Sequence, residues 1–222
     1  MEDLRRLIGH PLFRGISEAD LTRLFFCLNA RKKAYYQNEY ILMQGDPVNA
    51  MGIVLQGKVF MEGEDYSGNS HVYTEMHQGD VFGEIFIGYT PLNSFVNYRA
   101  VTDCLILYIE YDAVLEPCSK SCRCHWQLLE NMIKLLALKS RMLTEKIEII
   151  SKSSLRQRIL AYLSFLGRRQ EEETLHSPLN KTEMAEFLCV NRSSMLRELG
   201  RMEAEGILEN TGNHYRINKR ED

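Results

Sequence analysis

The chain has 222 residues, 45% hydrophobic and 26% charged, with a formal net charge of -3. That balance excludes a disordered, fibrous or uniformly basic protein and gives room for two ordinary globular domains. No apolar run approaches bilayer length and Met1 opens a charged segment, so a cytoplasmic protein without membrane contact is expected. Its six cysteines are then expected as reduced thiols, metal ligands or redox switches rather than structural disulfides.

Residues 2 to 28 carry helical patterns, with Leu4, Leu7 and Ile8 on one stripe and Leu21, Leu24, Phe25 and Leu28 on a second that Ser17 caps. From Arg31 to about Glu110 the character changes to short β-type runs, among them Met51–Leu55, His71–Tyr73 and Cys104–Ile109. Gly45-Asp46, Gly57-Lys58, Gly63, Gly68-Asn69 and Gly79-Asp80 punctuate them, which predicts a sandwich or small barrel. A helical turn over 111 to 116 ends at Pro117. A long helix is predicted from Ser121 to Ile150, in which Leu129, Leu136, Leu143 and Ile150 recur every seven residues beside Met132, Ile133 and Ile147. The repeat predicts self-association, the alternative being a core helix packed on its own barrel; Lys139 and Ser140 weaken its middle.

Ser153 breaks the pattern, and Leu155 to Leu166 begins a helix facing a second core, which puts a boundary near residue 152. Arg168 to Ser177 reads as a charged surface loop. Lys181 to Met202 then holds two short amphipathic segments around Cys189-Val190-Asn191. Asn180 and Glu183 form a capping box, and Asn191 caps the second segment. That second segment opens with Arg192, Ser193, Ser194 and, one turn on, Arg197, the donors that a helix N-terminus presents to guanine edges and phosphates in a major groove. After Gly206, the runs Ile207–Glu209 and His214–Ile217 bracket Asn210 to Asn213 as a hairpin wing. Its His214, Arg216, Lys219 and Arg220 suit phosphate contacts. The expected DNA-facing set is Lys181, Thr182, Asn191, Arg192, Ser193, Ser194, Arg197, His214 and Arg216.

Together these features resemble the bacterial Crp/Fnr family, typified by the cyclic-AMP receptor protein and the fumarate-nitrate reduction regulator. The matching residues are Leu12-Phe13-Arg14-Gly15, Gly45-Asp46, Leu55-Gln56-Gly57-Lys58-Val59, Gly79-Asp80-Val81-Phe82-Gly83-Glu84, the long helix and Arg192 to Arg197. The resemblance implies an α+β fold: a cyclic-nucleotide-binding-type β-roll (a double-stranded β-helix) over 1–118, a dimerisation helix over 119–151 and a winged helix-turn-helix over 152–222. It also implies a homodimer on a palindromic operator of double-stranded DNA and contact with RNA polymerase. Gly83, Glu84, Ser94, Phe95 and Arg99 would form the effector pocket, and Leu129, Leu136, Leu143 and Ile150 the dimer seam.

Two departures from the family pattern shape the expectation. Members that bind cyclic nucleotides use an Arg and a neighbouring Ser or Thr on the phosphate, and those positions here are Ser94-Phe95, which offer no cation. Arg99 could replace it only through a shifted alignment, so no tight binding of cyclic AMP or cyclic GMP is expected and the cofactor stays unassigned. In the recognition segment Ser193 stands where many members carry a cytosine-reading glutamate, so the operator should differ. Cys189 replaces the usual glycine of the turn.

Cys118, Cys122, Cys124 and His125 form a candidate redox or metal sensor, although Cys-x-x-Cys spacing is missing. His71, Glu75 and His77 share one strand face and would be the metal ligands of a cupin-like enzyme, the remotest reading. No phosphate loop, nucleophile elbow or triad is present, which favours a regulator over an enzyme; the wing and arginines disfavour a ligand-binding module that merely dimerises.

Overall fold

The computed structural model describes residues 7–64, 70–87, 93–116, 123–170 and 173–218. It divides into two compact units, Met1–Ala137 and Leu138–Asp222. The division falls inside the long helix, so the segment expected as a separate dimerisation element is shared between them.

In the first unit a 3-10 turn (Pro11–Phe13) precedes helix α1 (Glu18–Cys27), whose N-cap Ser17 accepts from the Asp20 amide. The strands are β1 (Arg31–Tyr35), β2 (Tyr40–Leu42), β3 (Ala50–Gln56), β4 (Val59–Glu64), β5 (Ser70–Met76), β6 (Val81–Phe82), β7 (Asn97–Ala100) and β8 (Cys104–Glu110). They pair antiparallel in two sheets, ordered β1-β8-β3-β6 and β2-β7-β4-β5. The turn α2 (Tyr111–Leu115) leads to α3 (Arg123–Ile150).

Strand alternation explains how the roll serves two cores. Met51, Ile53 and Leu55 of β3, with Leu107 and Ile109 of β8, pack with Leu21, Leu24 and Phe25 of α1 and with Leu128 and Met132 of α3. The opposite face of the same strands, Val54, Cys104 and Ile106, points into the roll against Val59, Phe82, Tyr98 and Ala100. With both faces covered, β3 reads as a near-continuous apolar run. Gly52 makes room there for the Phe82 ring, whose Cζ a Cβ at this position would overlap.

The second unit holds the rest of α3, then α4 (Leu155–Gln170), β9 (Leu175–His176), α5 (Lys181–Phe187), α6 (Arg192–Ala204), β10 (Leu208–Thr211) and β11 (His214–Ile217). Ile159, Tyr162, Leu163 and Leu166 of α4 bury against Met184, Leu188, Met195, Leu199 and Met202, which is the amphipathic pattern read from the sequence. The expected loop from Arg168 to Ser177 is corrected. α4 continues to Gln170, and Leu175–His176 pairs with β11 to make a three-stranded sheet ordered β10-β11-β9. The lone buried Leu175 anchors that short strand, a signal too brief for periodicity to reveal.

Candidate nucleic-acid interface

The helix-turn-helix forms where the caps predict it. Asn180 accepts from the Thr182 and Glu183 amides at 2.9 and 3.0 Å while the Glu183 carboxylate accepts from the Asn180 amide at 2.8 Å, a complete capping box. Asn191 accepts from the Ser193 amide at 2.9 Å and starts α6. Between the helices Cys189 takes φ +54°, the left-handed conformation that tight turns require. The first turn of α6 is bare: Arg192, Ser193 and Arg197 are exposed, Ser194 is half-exposed, and Thr182 is exposed on α5. Arg197 lies back along its own helix, Nε donating to the Ser193 carbonyl and Nη2 to Ser194 Oγ, both at 3.3 Å.

Lys181 is placed differently from the rest of the expected set. Its ammonium donates to Asn210 Oδ1 at 2.7 Å and to the Tyr215 hydroxyl, and it stands 4.2 Å above the centroid of the Tyr215 ring. Burial holds it below the ordinary lysine value, partly offset by Glu203. Burial also pushes the Tyr215 hydroxyl up to about 12. Lys181 therefore ties α5 to the wing. The wing turns at Gly212-Asn213, narrower than the expected tetrad, with Gly212 at φ +62°. Arg216 Nη2 is 3.5 Å from a Glu173 carboxylate oxygen, and His214 is exposed.

Sequence reasoning missed Arg156. From α4 it donates through Nε to Glu198 at 2.7 Å and through Nη1 and Nη2 to Glu205 at 2.6 and 2.8 Å, holding the middle and the C-cap of α6. These carboxylates, Glu205 first, raise its pKa. A lone arginine among many gives no sequence signal of such a role.

In the roll, Gly83 at φ +79° starts the 3-10 turn Glu84–Phe86, where Glu84 is buried. The nearby Tyr98 and Tyr111 hydroxyls titrate above the ordinary tyrosine value, through burial first and the Glu84 charge second, and Tyr111 donates to the Gly83 carbonyl at 2.5 Å. Ser94 is buried and its hydroxyl donates to the Val96 carbonyl at 2.6 Å, while Phe95 is exposed and packs edge-on against Phe86. Arg99 is not aimed at an effector: Nε and Nη2 bond both oxygens of buried Glu62 at 2.8 Å, and Nη1 reaches Asn38 at 3.3 Å. A cavity of about 80 Å³ lies beside Gly83, lined by Ile41, Leu42, Val48, Phe82 and Tyr108.

Along α3, Leu129, Leu136 and Ile150 are half-buried and Leu143 is exposed. With Trp126, Ile133 and Ile147, each at least 60% exposed, they make a stripe spaced alternately by three and four residues, interrupted at Ser140. Trp126 extends the seam one step beyond the sevenfold repeat, and the 126-129-133-136 spacing could have revealed it.

Cys118 and Cys122 lie outside the described residues. Cys124 is half-buried, and His125 is buried with Nε2 2.7 Å from the Val114 carbonyl. Glu75 bonds Lys58 and His77 at 2.8 and 3.0 Å, while the side chain of His71 is outside the described set. Among the described residues no three metal-ligating side chains are gathered, and no helix is long and apolar enough to cross a membrane.

Against known proteins, residues 32–121 match the family described as cyclic nucleotide-binding domain and residues 157–222 the Crp-like helix-turn-helix domain. The chain is 21% identical over 193 residues to the anaerobic regulatory protein of Pasteurella multocida, covering 85% of this chain and 68% of that one. Its fold is similar to the catabolite activator protein of Thermus thermophilus, with TM-score 0.56, 21% identity and coverage of 94% and 93% of the two chains. The c-di-GMP responsive global regulator CLP of Xanthomonas campestris aligns with TM-score 0.56 and 17% identity over 98% of this chain and 99% of that one. With a cyclic-nucleotide-binding-type roll, a long helix and a Crp-type DNA-binding head in this order, the chain belongs to the Crp/Fnr family of transcription regulators and is not an enzyme.

Proposed function

We propose that this regulator acts in the cytoplasm as a homodimer on a palindromic operator, reading base edges with Arg192, Ser193, Ser194 and Arg197 and positioning itself on phosphates with Thr182, His214 and Arg216. The observation that carries this reading is the bare first turn of α6, two arginines and two hydroxyls held at a capped helix N-terminus. The exposed members of the α3 stripe, Ile133, Leu143 and Ile147, support the dimer, since fully burying each of them would contribute about 1.5 to 3 kcal/mol. Two heads so joined would meet successive major grooves about 34 to 36 Å apart. Contact with RNA polymerase is part of the same proposal.

The effector is read as something other than a cyclic nucleotide. The only cation among the five expected pocket residues, Arg99, is committed to Glu62, and the cavity beside Gly83 is lined mostly by apolar residues, with Asn49 and Tyr108 but no cation among them. An anionic phosphate there would lose its hydration without gaining a charged partner. A small neutral, mostly apolar molecule fits this chemistry better. Shear the source genome, pass the fragments over immobilised protein, and sequence what is retained. The full-length protein should keep a limited set of fragments and Arg192→Ala none, with dimerisation intact; retention of the same set by Arg192→Ala would refute the reading.

A further inference from the structure

We propose that His176 and His214 together hold a borderline divalent transition-metal ion, of the zinc, nickel or copper(II) class, on the wing. The two residues are register partners on antiparallel β9 and β11, with ring centroids 4.9 Å apart and planes at 49°. One step along the ladder the Ser177 amide donates to the Asn213 carbonyl at 2.8 Å. That bond makes His176–His214 the pair without its own ladder bonds, the position where opposed side chains approach most closely. Both imidazoles are exposed, so protein does not bar an ion. The strand beneath them is fixed: Gln170 donates to the His176 carbonyl at 2.6 Å and accepts from the His176 amide at 2.7 Å.

Rings at this spacing on a rigid ladder can each turn a nitrogen to a shared ion at about 2.0 to 2.1 Å. Imidazole selects zinc, nickel and copper(II) over magnesium and calcium. The charged neighbours are Arg216, two residues further on β11, Glu209 opposite Arg216 on β10, and Glu173. Glu173 lies 3.5 Å from Arg216 and offsets the cation that would otherwise oppose a second positive charge. Two protein ligands leave open positions for water or, on the reading that the wing lies along DNA, for a phosphate oxygen. The ion would then add charge beside Arg216, the one arginine or lysine on the wing strands among the described residues.

The test is a calorimetric titration of the full chain with nickel(II), without DNA, for wild type, His176→Ala, His214→Ala and the double variant, with circular dichroism verifying the fold. A binding event of one ion per chain, weakened by about tenfold or more in each single variant and lost in the double, is expected. Equal nickel binding by wild type and the double variant would overturn the site. Anisotropy with labelled duplex, with and without nickel, separates the two readings. Tightening confined to wild type supports the phosphate contact, unchanged affinity overturns that contact, and metal-free DNA binding equal in wild type and the double variant would overturn the direct phosphate role of His214 instead.

Discussion

Arg99 and Glu62 face each other across β7 and β4 in a two-pronged pair, both nitrogen–oxygen distances at 2.8 Å, with Glu62 only 1% exposed. Hydrogen bonding to Glu62, and then the charge of that carboxylate, raises the arginine's pKa against the opposing effect of burial, so the cation is committed to this pair. The pair commits the one cation among the five residues expected to form the effector pocket.

Removing Arg99 should therefore damage stability rather than effector response. Arg99→Ala leaves a buried carboxylate without its partner and is expected to cost about 3 kcal/mol, read as a lower urea midpoint. A bound ligand at about 100 times its Kd would add about 2.7 kcal/mol of stability. Cyclic AMP is expected to leave the melting temperature of the wild type unchanged.

Substituting Cys189 by glycine should stabilise the DNA-binding head. The residue sits at φ +54°, which costs an ordinary side chain about 1 to 2 kcal/mol. Part of that gain is lost to the greater freedom of glycine when unfolded, so a net rise of about 1 kcal/mol is expected in chemical denaturation. Operator affinity should hold, since the Cys189 side chain lies outside the first turn of α6.

The caps of this head were legible because they are local. Asn180 with Glu183, and Asn191 before Arg192, are spacing signals that need no tertiary context, and both helices begin where those residues place them. The roll's short strands were legible through their glycines, and β3's apolar run through its two buried faces. Long-range pairings were not. Arg156 reaches Glu198 and Glu205, Lys181 reaches Asn210 and Tyr215, and β9 exists because one buried leucine finds β11, all contacts that only the folded chain defines. The commitment of Arg99 to Glu62 belongs to the same class.

A charge on the α3 stripe should separate the chains. Ile133→Glu or Leu143→Glu places a carboxylate on an exposed apolar seam and is expected to yield monomers by light scattering on a sizing column, with the far-ultraviolet spectrum preserved. Ser140→Leu fills the weak step and should lower the dimer dissociation constant.

Acid should weaken the first unit through His10. Its Nε2 lies 2.6 Å from the Gly79 carbonyl and its Nδ1 accepts from the Leu12 amide, and burial holds its pKa below the ordinary 6.5. Below 6.5 the unfolded chain takes a proton that the folded chain resists, so stability present above that pH is lost as pH falls through the window. His10→Gln should flatten this slope between about pH 7.5 and pH 5.5 in urea titrations.

The most direct measurement is selection of duplexes from a randomised pool by the full-length protein, followed by sequencing and by the mass of the complex. The predicted result is a two-fold symmetric consensus whose half-sites lie about 10 to 10.5 base pairs apart, or a multiple of that, bound by two chains. Enrichment of an asymmetric site bound by one chain, or of no sequence at all, would contradict a dimer that reads DNA through the first turn of α6.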